Sequence, residues 1–202
     1  MDQKIINHLA SIRPSLDVLG EWLVTCNAKT AQKGMMKTIL HDRQVTYRRG
    51  PLNYKRVWNN VTVPRIDDLF MFTFVRNPWD RVVSAFYFLQ QYRGKWEGMA
   101  FADFIKNVLK NQGVKADEHF RPQVKTFMCD GEMIPGMFIG RFERIQSDWN
   151  IVADRLNVQK ELPHFNRTRH APYQECYDDA SRKIVADMYA EEIQALGYEF
   201  GS

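Results

Sequence analysis

The part of the sequence that most constrains the fold is the stretch 70–88, FMFTFVRNPWDRVVSAFYF. Its first six residues form an almost wholly apolar run of the length expected for a buried strand. Arg76 ends the run, and a helix can begin directly after it because Asn77 is a good N-cap and Pro78 suits the first helical position. The sequence therefore predicts a strand, a short turn and a helix, with Arg76 at the carboxyl end of the strand.

Arg76 is the first candidate binding residue. A guanidinium at the end of a buried strand, facing the N-terminus of the next helix, forms a cationic site suited to a phosphate group. The same side chain could instead pair with a carboxylate. The residue is therefore a candidate for phosphate binding, with an ion pair as the alternative.

The predicted helix places a second polar candidate, Ser84, off its apolar face. Ser84 lies about 9 Å of helix rise beyond Pro78, on the side that also carries Asp80 and Arg81. Arg76 and Ser84 could then share one anion only if the ligand lies along the first two helical turns. The apolar face comprises Trp79, Val82, Val83, Phe86 and Leu89.

A second strand, turn and helix are predicted near the N-terminus. After a short helix that ends before Pro14, a strand is expected over 21–25, and helical periodicity resumes after the turn 26–34. Such turns bind ligands in open α/β sheets. Residues 43–66 are polar, basic and interrupted by Gly and Pro, which predicts a long surface excursion.

Periodicity in the rest of the chain predicts further helices and two short strands. Helices are expected over 101–111 and 145–156 and between Asp178 and Gly197, and strands over 124–128 and 137–140. Strands that alternate with helices favour a parallel sheet with helices on its faces. We therefore expect an α/β fold, with one domain over residues 1–202 built on a central parallel sheet flanked by helices.

Composition narrows the class of protein further. The chain has 202 residues, of which 45% are apolar, enough for one full core. The formal net charge of +4 favours anionic ligands without requiring a nucleic acid. No apolar run has the roughly 18 residues of a membrane span, and no signal-peptide pattern is present, so a cytoplasmic protein without membrane insertion is expected. The three cysteines lack the spacing of a zinc site or a disulfide framework.

Two missing motifs indicate phosphate chemistry without a metal. The strand 70–75 ends in Arg76, where a nucleotide triphosphatase usually has an Asp that binds magnesium. The first turn, AKTAQKG at 28–34, lacks the GxxxxGK[ST] loop. Cationic side chains and backbone amides are therefore expected to hold the phosphates, and no metal ligands are predicted.

The segment RNPWDRVVSAFYF resembles the 3′-phosphate-binding motif of the carbohydrate sulfotransferases, which use 3′-phosphoadenosine 5′-phosphosulfate (PAPS) as donor. The resemblance extends from about residue 21 over nearly all the remaining chain, since DEHFRPQ, IGRFERIQSDW and Tyr198-Glu199-Phe200 are similar to segments that follow in the same order. It implies the P-loop NTPase-like sulfotransferase fold. It also implies that Arg76 and Ser84 bind the 3′-phosphate.

The first turn is similar to the 5′-phosphosulfate loop of that family. Ala28 replaces the usual proline, whereas Lys29 and Thr30 match the pattern, and the following residues differ from the common glycine and hydroxyl pairs. The donor-binding residues that the resemblance implies here are Lys29, Thr30, Ala31, Gln32, Lys33 and Gly34.

The resemblance also implies roles in the reaction. Lys29 would stabilise charge on the oxygen that leaves sulfur, and His119 would accept the acceptor's proton, with Asp117 or Glu118 orienting its ring. His164 and His170 are rivals for the same role. Arg121 would contact an anionic acceptor or the donor. Arg49, which belongs to a basic run apart from these motifs, would attract an anionic glycan acceptor, or that run is a solvated face. Arg169, in the loop 162–173, would close over the nucleotide as in related enzymes, or it is an ordinary solvated charge.

The expected partner is a hydroxyl acceptor, most often a glycan in this family. Two other classes stay open. One is a nucleotide-dependent kinase or triphosphatase, which the absent Walker residues disfavour. The other is a non-catalytic binder, either a weak or inactive homologue that binds a nucleotide through the first turn or a protein that binds nucleic acid through the basic stretch 43–56.

Overall fold

The computed structural model describes residues 4, 16–19, 22–25, 35, 70–162 and 168–202. These residues belong to two compact units, each assembled from separate stretches of the chain. The sheet unit contains the first three strands and residues 125–162, and the helical unit contains residues 76–124 and 168–202. The predicted leading helix, the donor loop 28–34 and the excursion 43–66 lie outside the described residues.

The elements of both units follow one another in a mixed strand and helix order. The described strands are β1 (Leu16–Leu19), β2 (Trp22–Thr25), β3 (Phe70–Val75), β4 (Met128–Cys129), β5 (Glu132–Met133) and β6 (Phe138–Arg141). The described α-helices of four or more residues are α1 (Pro78–Arg93), α2 (Phe101–Phe104), α3 (Ile145–Leu156), α4 (Asp179–Met188) and α5 (Ala190–Leu196). Within the described residues, no helix combines the length and the low polarity needed to cross a membrane.

The sheet unit is built on a sheet with the strand order β1-β2-β3-β6. β2, β3 and β6 are parallel, and Phe72 lies opposite both Val24 and Phe138. β1 pairs with β2 in the antiparallel direction. The predicted parallel sheet is thus confirmed for three strands, whereas the antiparallel edge strand was not predicted.

Contacts around β6 connect the sheet to α3. The buried carboxylate of Asp148 accepts a hydrogen bond from the backbone N–H of Arg141 at 2.7 Å and from Nε of Arg144 at 3.0 Å. Gly140 faces the ring of Phe74, and a Cβ at this position would lie 2.4 Å from that ring. Because no side chain fits there, glycine is required for β6 to pair with β3 in this register.

α1 begins and ends as its sequence predicts. The side chain of Asn77 accepts a hydrogen bond from the backbone of Trp79 at 3.1 Å, and Gly94 ends the helix with φ of 61°. All five residues of the predicted apolar face are buried. Ser84 and Arg81 were expected off that buried face, but they are only 4% and 1% exposed. They are buried because other segments of the helical unit cover this side of α1 as well.

Two predicted elements of the C-terminal half are wrong in detail. Most of the strand expected over 124–128 is a 3₁₀ turn, Gln123–Thr126, because the side chain and backbone N–H of Gln123 bond to Glu192 and Arg76 instead of to a strand. The single last helix is divided into α4 and α5 at Tyr189, whose φ and ψ of −113° and 24° interrupt it. The helix predicted over 101–111 is confirmed, since α2 continues through Ile105–Leu109 to Gln112.

Candidate functional site

The candidate residues that the structure describes all belong to the helical unit. They are Arg76, Ser84, His119, Arg121 and Arg169. The other predicted site residues, the loop from Lys29 to Gly34 and Arg49, lie outside the described residues. α1 is the common scaffold of this site, because it directly follows Arg76, carries Ser84 and contacts the segments that hold His119 and Arg169.

Arg76 is held by an ion pair at the start of α1. Its Nε donates to Oδ2 of Asp80 at 2.6 Å, and the two side chains are only 10% and 18% exposed. The carboxylate partner allowed by the sequence is therefore present. A guanidinium has five N–H donors in a rigid plane, so a bond through Nε fixes that plane. The pair is compatible with phosphate binding and restricts the orientation of Arg76.

Ser84 lies beside the segment 168–170. Its hydroxyl is 3.5 Å from that of Thr168. Further along the same side of α1, the amide of Gln91 donates to the backbone carbonyl of Arg169 at 2.8 Å. The structure thus brings the segment of Arg169 to the side of α1 that carries Ser84.

His119 forms a hydrogen-bonded group with Asp117 and Lys95. Nδ1 of His119 is 2.6 Å from Oδ1 of Asp117, and the same oxygen accepts the backbone N–H of His119 at 3.0 Å. Nζ of Lys95 donates to the other oxygen of Asp117 at 2.7 Å. Of the two carboxylates considered from the sequence, Asp117 therefore contacts the ring.

The charge state of Asp117 determines which nitrogen of His119 can act as a base. Partial burial acts to raise the pKa of Asp117, but hydrogen bonds from Lys95 and from the backbone and ring of His119 outweigh it and lower the pKa to about 2. An ionised carboxylate only accepts hydrogen bonds, so Nδ1 must be the protonated nitrogen of a neutral ring. The lone pair is then on Nε2, away from Asp117.

Aromatic side chains of α1 lie beside the candidate base. The ring of Phe88 is 5.4 Å from the ring of His119 and 5.5 Å from that of Tyr92, measured between centroids. Tyr92 is 59% exposed, and the side chain of His119 is 29% exposed. The ring of Phe88 therefore lies between the exposed ring of Tyr92 and the candidate base, His119.

Two residues of this site were not found from the sequence. Lys95 follows α1 and precedes Asp117 by 22 residues, and nothing in its local pattern distinguishes it from a surface lysine. Thr168 belongs to a predicted loop, where a hydroxyl residue is common. Only the tertiary structure brings these groups to Asp117 and Ser84.

The chain belongs to the sulfotransferase family, whose family model matches residues 27–199. The match includes α1, the turn that carries His119 and the C-terminal helices, and it supports sulfuryl transfer as the general reaction. No curated protein and no solved structure shows a significant match to the chain.

Proposed function

We propose that the chain transfers a sulfuryl group from PAPS to a hydroxyl group of a carbohydrate or related small acceptor. The observation that carries this proposal is the hydrogen-bonded pair of His119 and Asp117 next to α1, the helix of the RNPWDRVVS segment, in a chain of the sulfotransferase family. In this proposal α1 helps to bind the donor and His119 is the oriented base, and these are two of the parts that sulfuryl transfer to a hydroxyl uses.

The proposed reaction is an in-line displacement at sulfur. Nε2 of His119 accepts the proton of the acceptor hydroxyl as its oxygen bonds to sulfur. The bond between sulfur and the bridging oxygen of the donor breaks at the same time, so the products are a sulfate ester and adenosine 3′,5′-bisphosphate. Asp117 stabilises the imidazolium that forms, through its bond to Nδ1.

The donor side uses the cationic and amide groups that the sequence predicts. Lys29 stabilises the negative charge that develops on the bridging oxygen, and the residues Thr30 to Gly34 contact the 5′-phosphosulfate. Arg76 and Ser84 hold the 3′-phosphate, and Arg169 closes over the nucleotide. The contact between Ser84 and Thr168 supports this arrangement, because it brings the Arg169 segment to the same side of α1.

The acceptor side lies next to His119 in this proposal. Arg121 follows the turn that carries His119, and Arg49 is a second cation that would attract an anionic glycan. The exposed ring of Tyr92 offers an apolar face to a sugar ring. A cytoplasmic location is part of the proposal as well.

Calorimetric titration with adenosine 3′,5′-bisphosphate tests the donor assignment. We expect tight binding that does not require magnesium, followed by sulfuryl transfer in a radiosulfate screen over glycans and small alcohols. Binding without transfer to any acceptor would indicate an inactive homologue. Failure to bind the bisphosphate, together with magnesium-dependent ATP hydrolysis, would contradict the proposal in favour of a kinase or triphosphatase.

Replacing Arg76 with lysine is expected to weaken binding of the bisphosphate by about 10- to 100-fold, because one or two charge-assisted hydrogen bonds to the 3′-phosphate are lost. Adenosine 5′-phosphate, which lacks that phosphate, should bind equally to both proteins. Arg144→Lys is the matched control, since Arg144 also pairs with an aspartate four residues later but belongs to the sheet unit. Equal loss of affinity for both nucleotides would contradict the 3′-phosphate assignment.

Replacing Asp117 with asparagine is expected to lower kcat by about 10- to 100-fold, because an uncharged amide stabilises the imidazolium less well. The pKa of Asp117 is lowered in the folded state, so its charge contributes to stability above about pH 4 and loses that contribution as the pH falls toward 2. Urea unfolding at pH 7 and pH 3 should therefore show a stability difference between wild type and variant that shrinks in acid. A difference in unfolding free energy that stays constant with pH would contradict the lowered pKa of Asp117.

A further inference from the structure

The turn that carries His119 is held through its backbone by two buried side chains. Nη1 of Arg81 donates to the carbonyl oxygens of His119 and Arg121, each at 3.0 Å. The hydroxyl of Tyr189 donates to the carbonyl between them, that of Phe120, at 2.8 Å. Three successive carbonyls are thus bound by Arg81 and Tyr189, and we call these two side chains the carbonyl clamp.

Glu192 connects the carbonyl clamp to the other end of the site. Nη2 of Arg81 lies 3.3 Å from Oε1 of Glu192, and both side chains are almost completely buried. Glu192 also accepts hydrogen bonds from the backbone and side chain of Gln123. The side-chain amide of Gln123 in turn binds both the N–H and the C=O of Arg76, each at 2.9 Å.

Stability alone does not account for this arrangement. A buried ion pair is weak evidence for stabilisation, since apolar residues of similar volume often serve as well. Nε of Arg81 is also buried and has no hydrogen-bond partner among the described residues, which is a further cost. What the arrangement supplies is a fixed position for two backbone segments, and each of them carries a residue of the candidate site.

We propose that Arg81 is a positioning residue that fixes the positions of His119 and Arg76 relative to each other. It acts on His119 through the carbonyl clamp and on Arg76 through Glu192 and Gln123. The proposal rests on the proposed function for its kinetic consequences. Its structural content, the placement of the imidazole of His119 by Arg81 and Tyr189, can be measured without turnover.

Arg81→Lys tests the proposal directly, because lysine has a single nitrogen and cannot bind two carbonyls and Glu192 in the same fixed geometry. We expect kcat to fall by about 10- to 100-fold, as for a small misplacement of a catalytic group. The KM for PAPS should rise by a smaller factor, because Arg81 bonds directly to the turn of His119 but is linked to the backbone of Arg76 only through Glu192 and Gln123. A variant that folds and retains wild-type kcat would overturn the proposal.

A milder pair of variants covers the case in which Arg81→Lys does not fold. Tyr189→Phe removes one bond of the carbonyl clamp and should lower kcat about fivefold. Tyr177→Phe is the matched control, because it removes a similar bond, from the hydroxyl of Tyr177 to the carbonyl of Trp79 at 2.9 Å, and should leave kcat unchanged. Equal effects of the two variants would also overturn the proposal.

The imidazole resonances of His119, assigned with a His119→Gln variant, provide the readout that is independent of turnover. They should shift or broaden in Arg81→Lys and in Tyr189→Phe, and not in Tyr177→Phe. If wild type transfers no sulfuryl group, the proposed function fails, but these resonances still decide whether Tyr189 and Arg81 position His119. Unchanged His119 signals in Tyr189→Phe would refute the positioning role.

Discussion

Replacing His119 with alanine is expected to lower kcat for sulfuryl transfer by about 10²- to 10⁴-fold, the usual contribution of a general base. The loss should be in kcat, with little change in the affinity for adenosine 3′,5′-bisphosphate, because the imidazole acts on the acceptor and not on the donor. The backbone bonds of the turn do not depend on the ring. The variant should therefore fold, and circular dichroism with single-turnover kinetics would show both properties.

His170→Ala is the matched control for this experiment. The ring of His170 stacks on Tyr87 at 5.4 Å, and its Nδ1 lies 2.8 Å from the backbone carbonyl of Ala171. Among the described residues, no carboxylate is hydrogen-bonded to this ring. It was a rival for the catalytic role on sequence grounds, yet it lacks the orientation that Asp117 gives to His119. Near-normal turnover in His119→Ala, with loss of turnover in His170→Ala, would reverse the assignment.

Replacing Lys29 with alanine is expected to lower kcat by about 10²- to 10³-fold, the cost typical of removing one group that stabilises charge in the transition state. Negative charge builds on the bridging oxygen only as the bond to sulfur breaks, so the effect should exceed any change in the KM for PAPS. Lys29→Arg should recover part of the activity, since it retains the charge with a different geometry.

Lys160→Ala serves as the control for Lys29, because the side chain of Lys160 forms a solvent-exposed pair with Asp154 at 2.7 Å in the sheet unit. It should leave both kinetic constants unchanged. A Lys29→Ala protein with wild-type kcat would exclude Lys29 as the group that stabilises the leaving oxygen. Sulfuryl transfer would then have to rely on the backbone amides of the same loop.

The parts of the fold that local sequence determines were predictable. α1 is the clearest case, since its cap, its first proline and its terminal glycine lie within the helix or next to it. The prediction of a strand over 124–128 was wrong because it used only the apolar pattern of those few residues. The hydrogen bonds of Gln123 go to Glu192, 69 residues later, which no pattern in a short window can indicate.

The same distinction applies to the candidate site. The contact between His119 and Asp117 joins residues two positions apart, so a sequence motif could suggest it. Lys95 and Thr168 meet this site only through tertiary packing. The burial of Arg81 was also unpredictable, because an arginine on a helix is ordinarily solvated, and its carboxylate partner is far along the chain.

The separation of Arg81 and Glu192 also matters while the protein is being made. Glu192 follows Arg81 by 111 residues, which at about 5–20 residues per second means that the ribosome adds it roughly 6–22 s later. During that interval the nascent chain contains a guanidinium that is buried in the folded protein and whose counter-charge has not been synthesised. Folding of the helical unit around Arg81 can therefore be completed only after Glu192 has been synthesised. Nascent chains arrested before Glu192 should be targets for chaperones and proteases.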